Sequence, residues 1–378
     1  MAGLHSPFAL RGVTVKNRIV VSPMSQYRAV DGVANDWHLV HLGRFALGGA
    51  GLVLAEATAV TADGRRTHGD LGLWTDEQAE ALAPVMAFIE REGSVPGVQL
   101  GHAGRKASER RPWHGETPVD EDDVAERGER PWTAIAPSPI PYADGWPTPV
   151  EMSAAAIEET IDAFGRSARR AAEAGAKVIE VYAAHGFLIH QFLSPIANHR
   201  QDEWGGAPEH RRRFAVEVAR AIRSEWPESL PLCFRLSATD WLDGGLELDD
   251  TVATARALKE AGVDLIDCST GGVGGRERPR RMTIEQGFQV PFAEAVRRQA
   301  DIATAAGGFL WDPRECDAII ADGRADLIAL ARELLDDPNW PLHAKAALDA
   351  EAGFADWPVE SAWWLEKRQR LIDKLALR

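Results

Sequence analysis

Residues 152–184, MSAAAIEETIDAFGRSARRAAEAGAKVIEVYAA, join a helix-like stretch to a strand-like stretch and decide the predicted fold. The helix-like part, 152–175, begins beside Ser153, a residue type that caps helices, and closes at Gly175, a residue type that ends them. The run that follows, 177–184, is short and mostly apolar, as in a strand that is covered on both faces. A helix of this kind next to such a strand is typical of α/β proteins with a parallel sheet.

The same alternation runs along the chain and predicts an α/β fold, a (β/α)8 TIM barrel with a long excursion after strand 3 and a C-terminal tail. The excursion, 104–150, is rich in Pro, Gly, Trp and charge, and the tail contains the aromatic segment 357–370. A doubly wound sheet is the alternative, but no GxGxxG motif follows the first strand. We expect residues 1–378 to form a single domain. The eight predicted strands are 18–24, 50–60, 95–103, 177–184, 231–238, 263–270, 301–308 and 326–332.

Composition and charge exclude several classes of function. Apolar residues make up 45% of the 378 residues, enough for a large core. The formal net charge of −15 repels phosphate backbones and anionic lipid, so we expect neither a nucleic-acid nor a membrane partner. Without a secretory leader or a membrane-spanning apolar run, the sequence predicts a cytoplasmic protein. The three cysteines form no CxxC pair, and His38 and His41 lack an evident third ligand, so no metal site is predicted.

Polar and glycine residues cluster at the C-terminal ends of the predicted strands, where barrel enzymes carry their active sites. The seventh strand ends in Gly307 and Gly308, and the eighth ends in Arg332. Backbone N–H groups in a glycine turn, together with a guanidinium, favour binding of a phosphate. Two alternatives stay open at this point, namely a simple tight turn at the glycines and a surface ion pair at the arginine.

Arg235 interrupts an otherwise apolar strand, where a charge is costly unless it is paired or contacts a ligand. One hypothesis places it beneath a planar ring system, where it would stabilise the negative charge of a reduced flavin. The alternative is a salt bridge to an interior carboxylate such as Glu180 or Asp267.

Five stretches form motifs at or near the strand ends: SPMSQY (22–27), EATAV (56–60), QLGHAGRKA (99–107), AAHGFLIHQFLSPIANHRQDEWGG (183–206) and ARELLDDPNWP (331–341). Together they resemble the Old Yellow Enzyme family of FMN-dependent ene-reductases. The likeness is closest to its thermophilic-like bacterial branch, which includes xenobiotic reductases. It extends over essentially the whole chain, and the pattern LSPxxNxRxDxxGG within the fourth motif is long and specific.

The resemblance implies a bound FMN, with NADPH or NADH as the reductant. It also implies a small-molecule substrate, an activated alkene such as an enone, which accepts hydride from flavin N5 at its β-carbon. A homodimer or a dimer of dimers is expected on the same ground. The implied FMN-binding residues are Pro23, Met24 and Ser25 through their backbone, Ala57 and Gln99 at the ring edge, Arg235 at the pyrimidine end, and Gly307, Gly308, Ala331 and Arg332 at the phosphate.

Tyr182 and His185 occupy the positions of the pair that binds the substrate carbonyl in this family. In a regular strand, residues three apart point to opposite faces, so the two meet only if the chain bends after Ala183. The resemblance implies catalytic roles for Tyr27, Tyr182 and His185. The implied substrate-binding residues are Tyr27, Lys106, Tyr182, His185, Phe187 and, from the tail of an adjoining subunit, Trp364.

Three positions depart strongly from the family pattern, and Ala331, where the family usually has glycine, is a milder change. Ser25 stands where related enzymes often carry cysteine, and a hydroxyl does not tune a flavin as a thiol does. Tyr182 replaces the first member of the usual His-His or His-Asn pair. Phe187 replaces the tyrosine that is usually assigned as the proton donor, and a phenyl ring has no proton to give. The proton would then come from Tyr182, Tyr27 or water.

Two other functions remain as alternatives. Tyr182, His185 and Asp267 are similar to the substrate-side triad of flavin-dependent trimethylamine dehydrogenases, which favours oxidation of an amine or of an aromatisable ring. A flavin-binding protein without turnover is the third hypothesis. The basic run 274–282 is a candidate for binding the 2′-phosphate of NADPH or an anionic substrate, with a solvated lid as the alternative.

Overall fold

Eight parallel strands form a closed barrel at the centre of the computed structural model, which describes residues 2–275, 279 and 281–376. The described residues contain thirteen strands in all, of which eight belong to the barrel: β1 (Phe8–Leu10), β2 (Val13–Val15), β3 (Ile19–Val21), β4 (Leu52–Ala59), β5 (Leu71–Gly72), β6 (Val95–Gly101), β7 (Ile135–Ala136), β8 (Val150–Glu151), β9 (Val178–Ala183), β10 (Leu232–Ser237), β11 (Leu265–Ser269), β12 (Ala303–Ala306) and β13 (Leu327–Leu330). The barrel order is β3-β4-β6-β9-β10-β11-β12-β13, and β13 pairs back with β3. The predicted (β/α)8 barrel is therefore confirmed.

Helices that follow the barrel strands cover their outer faces, and further helices lie in the excursion and in the C-terminal tail. They are α1 (Asp36–Leu47), α2 (Asp76–Arg91), α3 (Glu121–Arg127), α4 (Ala154–Glu173), α5 (Leu188–Leu193), α6 (Pro208–Glu225), α7 (Leu248–Glu260), α8 (Val290–Ala300), α9 (Pro313–Ala321), α10 (Arg332–Asp336), α11 (Trp340–Leu348) and α12 (Val359–Ala376). The start of α4 shows how the sequence sets these boundaries, because the Ser153 side chain accepts a hydrogen bond from the Ala156 N–H at 3.2 Å. Gly175 follows its end with φ +92°, a conformation that glycine adopts without strain.

Side chains at alternate strand positions fill the barrel in layers. Apolar residues occupy its N-terminal half, including Val20, Val178 and Leu265. The antiparallel β1–β2 hairpin closes this end of the barrel above a cavity of about 30 Å³ that Phe8 and Leu10 help to line. The next layer is polar, and it lies directly beneath the C-terminal ends of the strands.

The excursion and the tail both contain regular structure. Within residues 104–150 lie two short 3-10 turns, α3 and the parallel pair β7–β8. Helix α12 in the tail has no buried residue, and Trp364 on it is 65% exposed. Of the helices described, none combines the length and the apolar character needed to cross a membrane.

Candidate active site

The C-terminal ends of the barrel strands surround a cavity of about 380 Å³. Its lining includes Ser22 after β3, Arg235 on β10, Gly308 after β12 and Ala331 with Arg332 after β13. Strands that are separated by as many as 300 residues in the sequence therefore contribute to one site. This is the end of the barrel at which TIM-barrel enzymes bind their substrates and cofactors.

The turn after β12 requires glycine, because its φ is positive and the backbone of Gln289 lies close to it. Gly308 has φ +98°, and a Cβ atom there would lie 2.8 Å from the backbone nitrogen of Gln289. Arg332 lies at the start of α10, with its guanidinium carbon 5.1 Å from the centroid of the Phe309 ring. A glycine turn next to an arginine and the N-terminus of a helix offers N–H donors and positive charge to a phosphate.

Arg235 both pairs with a carboxylate and faces the cavity. Its Nε lies 3.2 Å from Asp267 Oδ2, which makes an ion pair, and the side chain lines the cavity. The direction of the N–H group does not meet the geometry of a hydrogen bond to this oxygen, and Nε has no other hydrogen-bond partner among the described residues. Burial alone would lower the pKa of Arg235, but the carboxyl groups of Asp267 and Glu180 outweigh it and raise the pKa. The ion pair and the ligand contact considered as alternatives are therefore compatible with each other.

Gln99, Glu180 and Asp267 form the polar layer beneath the cavity, and all three are buried. Gln99 Nε2 donates to Glu180 Oε1 at 2.7 Å. Burial, and then the charge of Asp267, raise the pKa of Glu180 to about 8, while burial also raises the pKa of Asp267. Two carboxyl groups in this layer face one guanidinium, which favours a single shared proton between them.

The bend after β9 brings Tyr182 and His185 together. His185 has φ +54° and Gly186 has φ +76°, so the chain turns sharply at these two residues. Tyr182 Oη lies 2.9 Å from His185 Nδ1, and His185 Nε2 lies 2.5 Å from Ser269 Oγ. Burial, and then the charge of Arg235, lower the pKa of His185 well below its usual value. A neutral imidazole thus links a phenol to a hydroxyl.

A second histidine, His190, stabilises this turn through a hydrogen bond to its backbone. His190 Nδ1 accepts a hydrogen bond from the Gly186 N–H at 2.8 Å, and its Nε2 lies 2.8 Å from Asp240 Oδ1. The side chains of His190 and Asp240 are fully buried. Asp240 also accepts from Ser194 Oγ and from the Leu246 N–H, so its carboxylate is satisfied without solvent. Because this network binds the Gly186 N–H, it stabilises the turn in which His185 has a positive φ.

Tyr27 follows β3 and lies close enough to Tyr182 for the two phenols to interact electrostatically. It has φ +56°, and its Oη accepts a hydrogen bond from Arg66 Nη1 at 3.2 Å. Arg66 in turn donates to Glu109 Oε1 at 2.9 Å. Burial raises the pKa of the Tyr27 phenol, although Arg66 opposes the shift. The sequence interpretation missed Arg66, since no spacing or motif ties position 66 to position 27.

Lys106 and Phe187 lie beside the Tyr182–His185 pair. The Phe187 ring is tilted by 31° against the Tyr182 ring, at a centroid distance of 4.1 Å. Lys106 Nζ donates to the His185 carbonyl oxygen at 3.1 Å. The lysine is thus part of the site rather than a solvated residue at its mouth.

The remaining predicted residues divide between the site and the surface. Pro23, Met24 and Ser25 follow β3 and are partly exposed, whereas Ala57 is buried where the register of β4 shifts. Trp364 is exposed on α12, and no contact among the described residues brings it to the site. In the predicted basic run, residues 276–278 and 280 lie outside the described residues. Among the described residues, no cluster of three His, Cys, Asp or Glu side chains could hold a metal ion.

These features fit a bound FMN. The turn at Gly308 and the Arg332 guanidinium suit its phosphate, while the half-buried Arg235, which lines the cavity, suits the electron-rich end of the ring. When bound, FMN supplies hydride chemistry that no side chain provides. Fold and site together define a flavin-dependent oxidoreductase built on a TIM barrel.

The chain belongs to the NADH:flavin oxidoreductase / NADH oxidase family, whose model matches residues 3–351. It is 46% identical over 347 residues to the NADPH dehydrogenase of Geobacillus sp. (strain WCH70), a match that covers 91% of this chain and 94% of that protein. The predictions of the Old Yellow Enzyme family, of an NAD(P)H:flavin oxidoreductase and of FMN as the cofactor are therefore confirmed.

Two solved structures have the same barrel. A 2-naphthoyl-CoA reductase in complex with 2-naphthoyl-CoA matches with a TM-score of 0.80 and 25% identity, over 92% of this chain and 52% of that chain. An old yellow enzyme homologue from Zymomonas mobilis matches with a TM-score of 0.74 and 23% identity, over 92% and 93% of the two chains. At this level of identity, the second match bears on the fold alone.

Proposed function

We propose that this protein uses NADPH to reduce activated alkenes such as enones. The observation that carries the proposal is the hydrogen-bonded Tyr182–His185 pair, which lies above the polar layer at the open end of the barrel. A neutral imidazole and a phenol are both hydrogen-bond donors, and a carbonyl oxygen that gains negative charge during reduction needs such donors. NADPH is proposed as the reductant because the similar Geobacillus protein is an NADPH dehydrogenase.

The chain's own residues would orient the reaction. Arg332 and the glycine turn would hold the cofactor phosphate, and Arg235 would stabilise negative charge at the pyrimidine end of the ring. Tyr182 and His185 would hold the substrate carbonyl oxygen and draw electrons toward it. Tyr27 would close the substrate pocket, with its oxygen accepting a hydrogen bond from Arg66.

Oxidation of an amine or an aromatisable ring is the second candidate. It would require Asp267 to act together with Tyr182 and His185. In the described contacts, the two ring nitrogens of His185 face Tyr182 and Ser269, whereas Asp267 pairs with Arg235. These contacts favour the reductive function.

An anaerobic reoxidation experiment tests the proposal. The bound flavin is reduced with light, 2-cyclohexenone is added, and the return of the yellow colour is followed. Rapid return that yields cyclohexanone supports alkene reduction. If the enone leaves the flavin reduced, the proposal is wrong. Bleaching of the oxidised flavin by an amine without NADPH would then favour the second candidate, and no reaction with any donor or acceptor would favour a flavin-binding protein without turnover.

We also propose that the protein is a homodimer or a dimer of dimers whose contacts involve α12. The helix exposes Trp363, Trp364, Leu371 and Leu375, which would be costly in a monomer. Light scattering of the full chain and of a Trp364→Ala variant measures the oligomeric state directly. A monomeric wild-type protein contradicts this proposal without affecting the proposed reaction.

A further inference from the structure

Lys106 is a buried lysine without a counter-charge in the part of the chain that the structure describes. Only 8% of its surface is exposed. Its Nζ donates to the His185 carbonyl oxygen at 3.1 Å and lies 4.8 Å from the centroid of the Tyr142 ring and 5.6 Å from that of Phe187. The nearby carboxylates of Glu109 and Glu116 pair with Arg66 instead.

Such surroundings favour the neutral amine over the ammonium ion. Burial of a charge costs free energy unless a counter-charge or hydrogen bonds replace its water. Here one carbonyl accepts one of the three ammonium protons, and the other contacts are aromatic rings. Burial, and then the charge of Arg66, lower the pKa of Lys106 to about 7. The ammonium form therefore loses a proton readily near neutral pH, as a general acid must.

The other side chains of the site are poorer proton donors. Phe187 has no exchangeable proton, and the Tyr182 phenol is hydrogen-bonded to His185 in the pair proposed to hold the carbonyl oxygen. Loss of a proton from Tyr182 or Tyr27 would leave a phenolate in surroundings whose burial raises the pKa of both phenols. Loss of a proton from Lys106 leaves an uncharged amine, which is the form that its surroundings prefer.

We propose that Lys106 is the acid that protonates the substrate α-carbon, an inference that rests on the proposed reduction of activated alkenes. Hydride supplied from the reduced cofactor forms the new C–H bond at the β-carbon, and the electron pair of the C=C bond shifts toward the carbonyl oxygen held by Tyr182 and His185. The α-carbon then bonds to a proton from Lys106 Nζ, the N–H bond breaks, and its electron pair stays on nitrogen. Water returns a proton to the amine before the next turnover.

The test compares two substitutions of this lysine in the FMN-loaded, photoreduced enzyme. Lys106→Met keeps the length of the side chain and removes the proton. Lys106→Arg keeps the charge, but a guanidinium does not give up a proton in this pH range. Lys259→Met, at an exposed position on α7, controls for general effects of removing a lysine. The limiting rate of reoxidation by saturating 2-cyclohexenone is measured from pH 6 to pH 9, with the thermal stability of each variant.

We expect both Lys106 variants to reoxidise about 10²–10⁴-fold more slowly than the wild type, because each lacks the acid. The wild-type rate should fall as the pH rises through about 7, since the ammonium form is then lost, and this dependence should vanish in both variants. If Lys106→Arg retains the wild-type rate, or if Lys106→Met changes only the enone concentration needed, Lys106 supplies charge or binding and the inference is wrong. If the wild type itself is not reoxidised by the enone, the proposed function fails and the inference fails with it.

Discussion

Replacing Tyr182 with phenylalanine tests the role of the β9 turn most directly. The substitution removes one hydroxyl and keeps the ring that stacks on Phe187 at 4.1 Å. In the free enzyme, the lost contact is a single hydrogen bond between uncharged groups, 2.9 Å from Tyr182 Oη to His185 Nδ1. A bond of this kind contributes about 0.5–1.5 kcal/mol to the free energy of unfolding. The variant should therefore fold and bind FMN as the wild type does.

The expected effect on the reaction is larger than the effect on stability. A donor directed at an oxygen that gains negative charge in the transition state contributes about 2.7–4 kcal/mol, or about 10²–10³ in rate. If Tyr182 is such a donor, Tyr182→Phe lowers the limiting rate of flavin reoxidation by 2-cyclohexenone by that factor. The rate of flavin reduction by NADPH should change far less, because no carbonyl oxygen of the enone is present in that step.

Stopped-flow spectroscopy of the two half-reactions separates these effects. Ser167→Ala is a matched control, because it also removes one hydroxyl hydrogen bond, to the Leu73 carbonyl oxygen, but at a position on α4 outside the site. The control should reoxidise at the wild-type rate. A decrease smaller than about tenfold in Tyr182→Phe, equivalent to about 1.4 kcal/mol, would refute the assignment of Tyr182 as a donor to the carbonyl.

Three further substitutions test the cofactor site, the polar layer and the support of the turn. Gly308→Ala should weaken FMN binding and cost about 1–2 kcal/mol of stability, because φ +98° is unfavourable for alanine; unchanged FMN affinity in a fluorescence titration contradicts this. Glu180 should contribute a downward slope to the stability as the pH rises from about 4.3, where it ionises in the unfolded chain, to about 8, where it ionises in the folded protein. Glu180→Gln should remove that slope in urea unfolding, and an identical slope would exclude Glu180 as its source. Asp240→Asn should cost about 2–3 kcal/mol in thermal unfolding, since it weakens the bond to His190, and a stability equal to the wild type would show that the network is dispensable.

The barrel could be predicted from the sequence because its pattern is local. Each barrel strand is a short apolar run next to an amphipathic helix, and this alternation appears within any window of about 30 residues. The eight observed barrel strands fall inside the predicted runs, as with β9 (Val178–Ala183) inside 177–184, whereas the short strands β1, β2 and β5 were not predicted. Inside the excursion, α3 and the β7–β8 pair were not predicted, since β7 and β8 have only two residues each and no periodicity of their own.

The glycine turn and the charged strand residues were also visible in the sequence, because residues that disrupt a pattern stand out within it. Gly307 and Gly308 end an apolar run, and Arg235 interrupts one. The sequence left open whether Arg235 pairs with a carboxylate or faces a ligand. The structure shows the pairing with Asp267 on the neighbouring strand, and the same guanidinium also lines the cavity.

The amino-acid sequence by itself determined the class of fold, the family and the set of side chains available for chemistry. It did so because strand and helix periodicity, capping residues and family motifs are properties of neighbouring residues. Only the tertiary structure decided which side chains act on one another. Lys106 and His185 are 79 positions apart in the sequence, and Tyr27 and Arg66 are 39 apart; the pairing of β6 with β9 and of β3 with β4 brings them together. Such contacts between distant segments bury Lys106 and place Arg66 near it. Burial and this charge lower the pKa of Lys106, so its ammonium group loses a proton more easily.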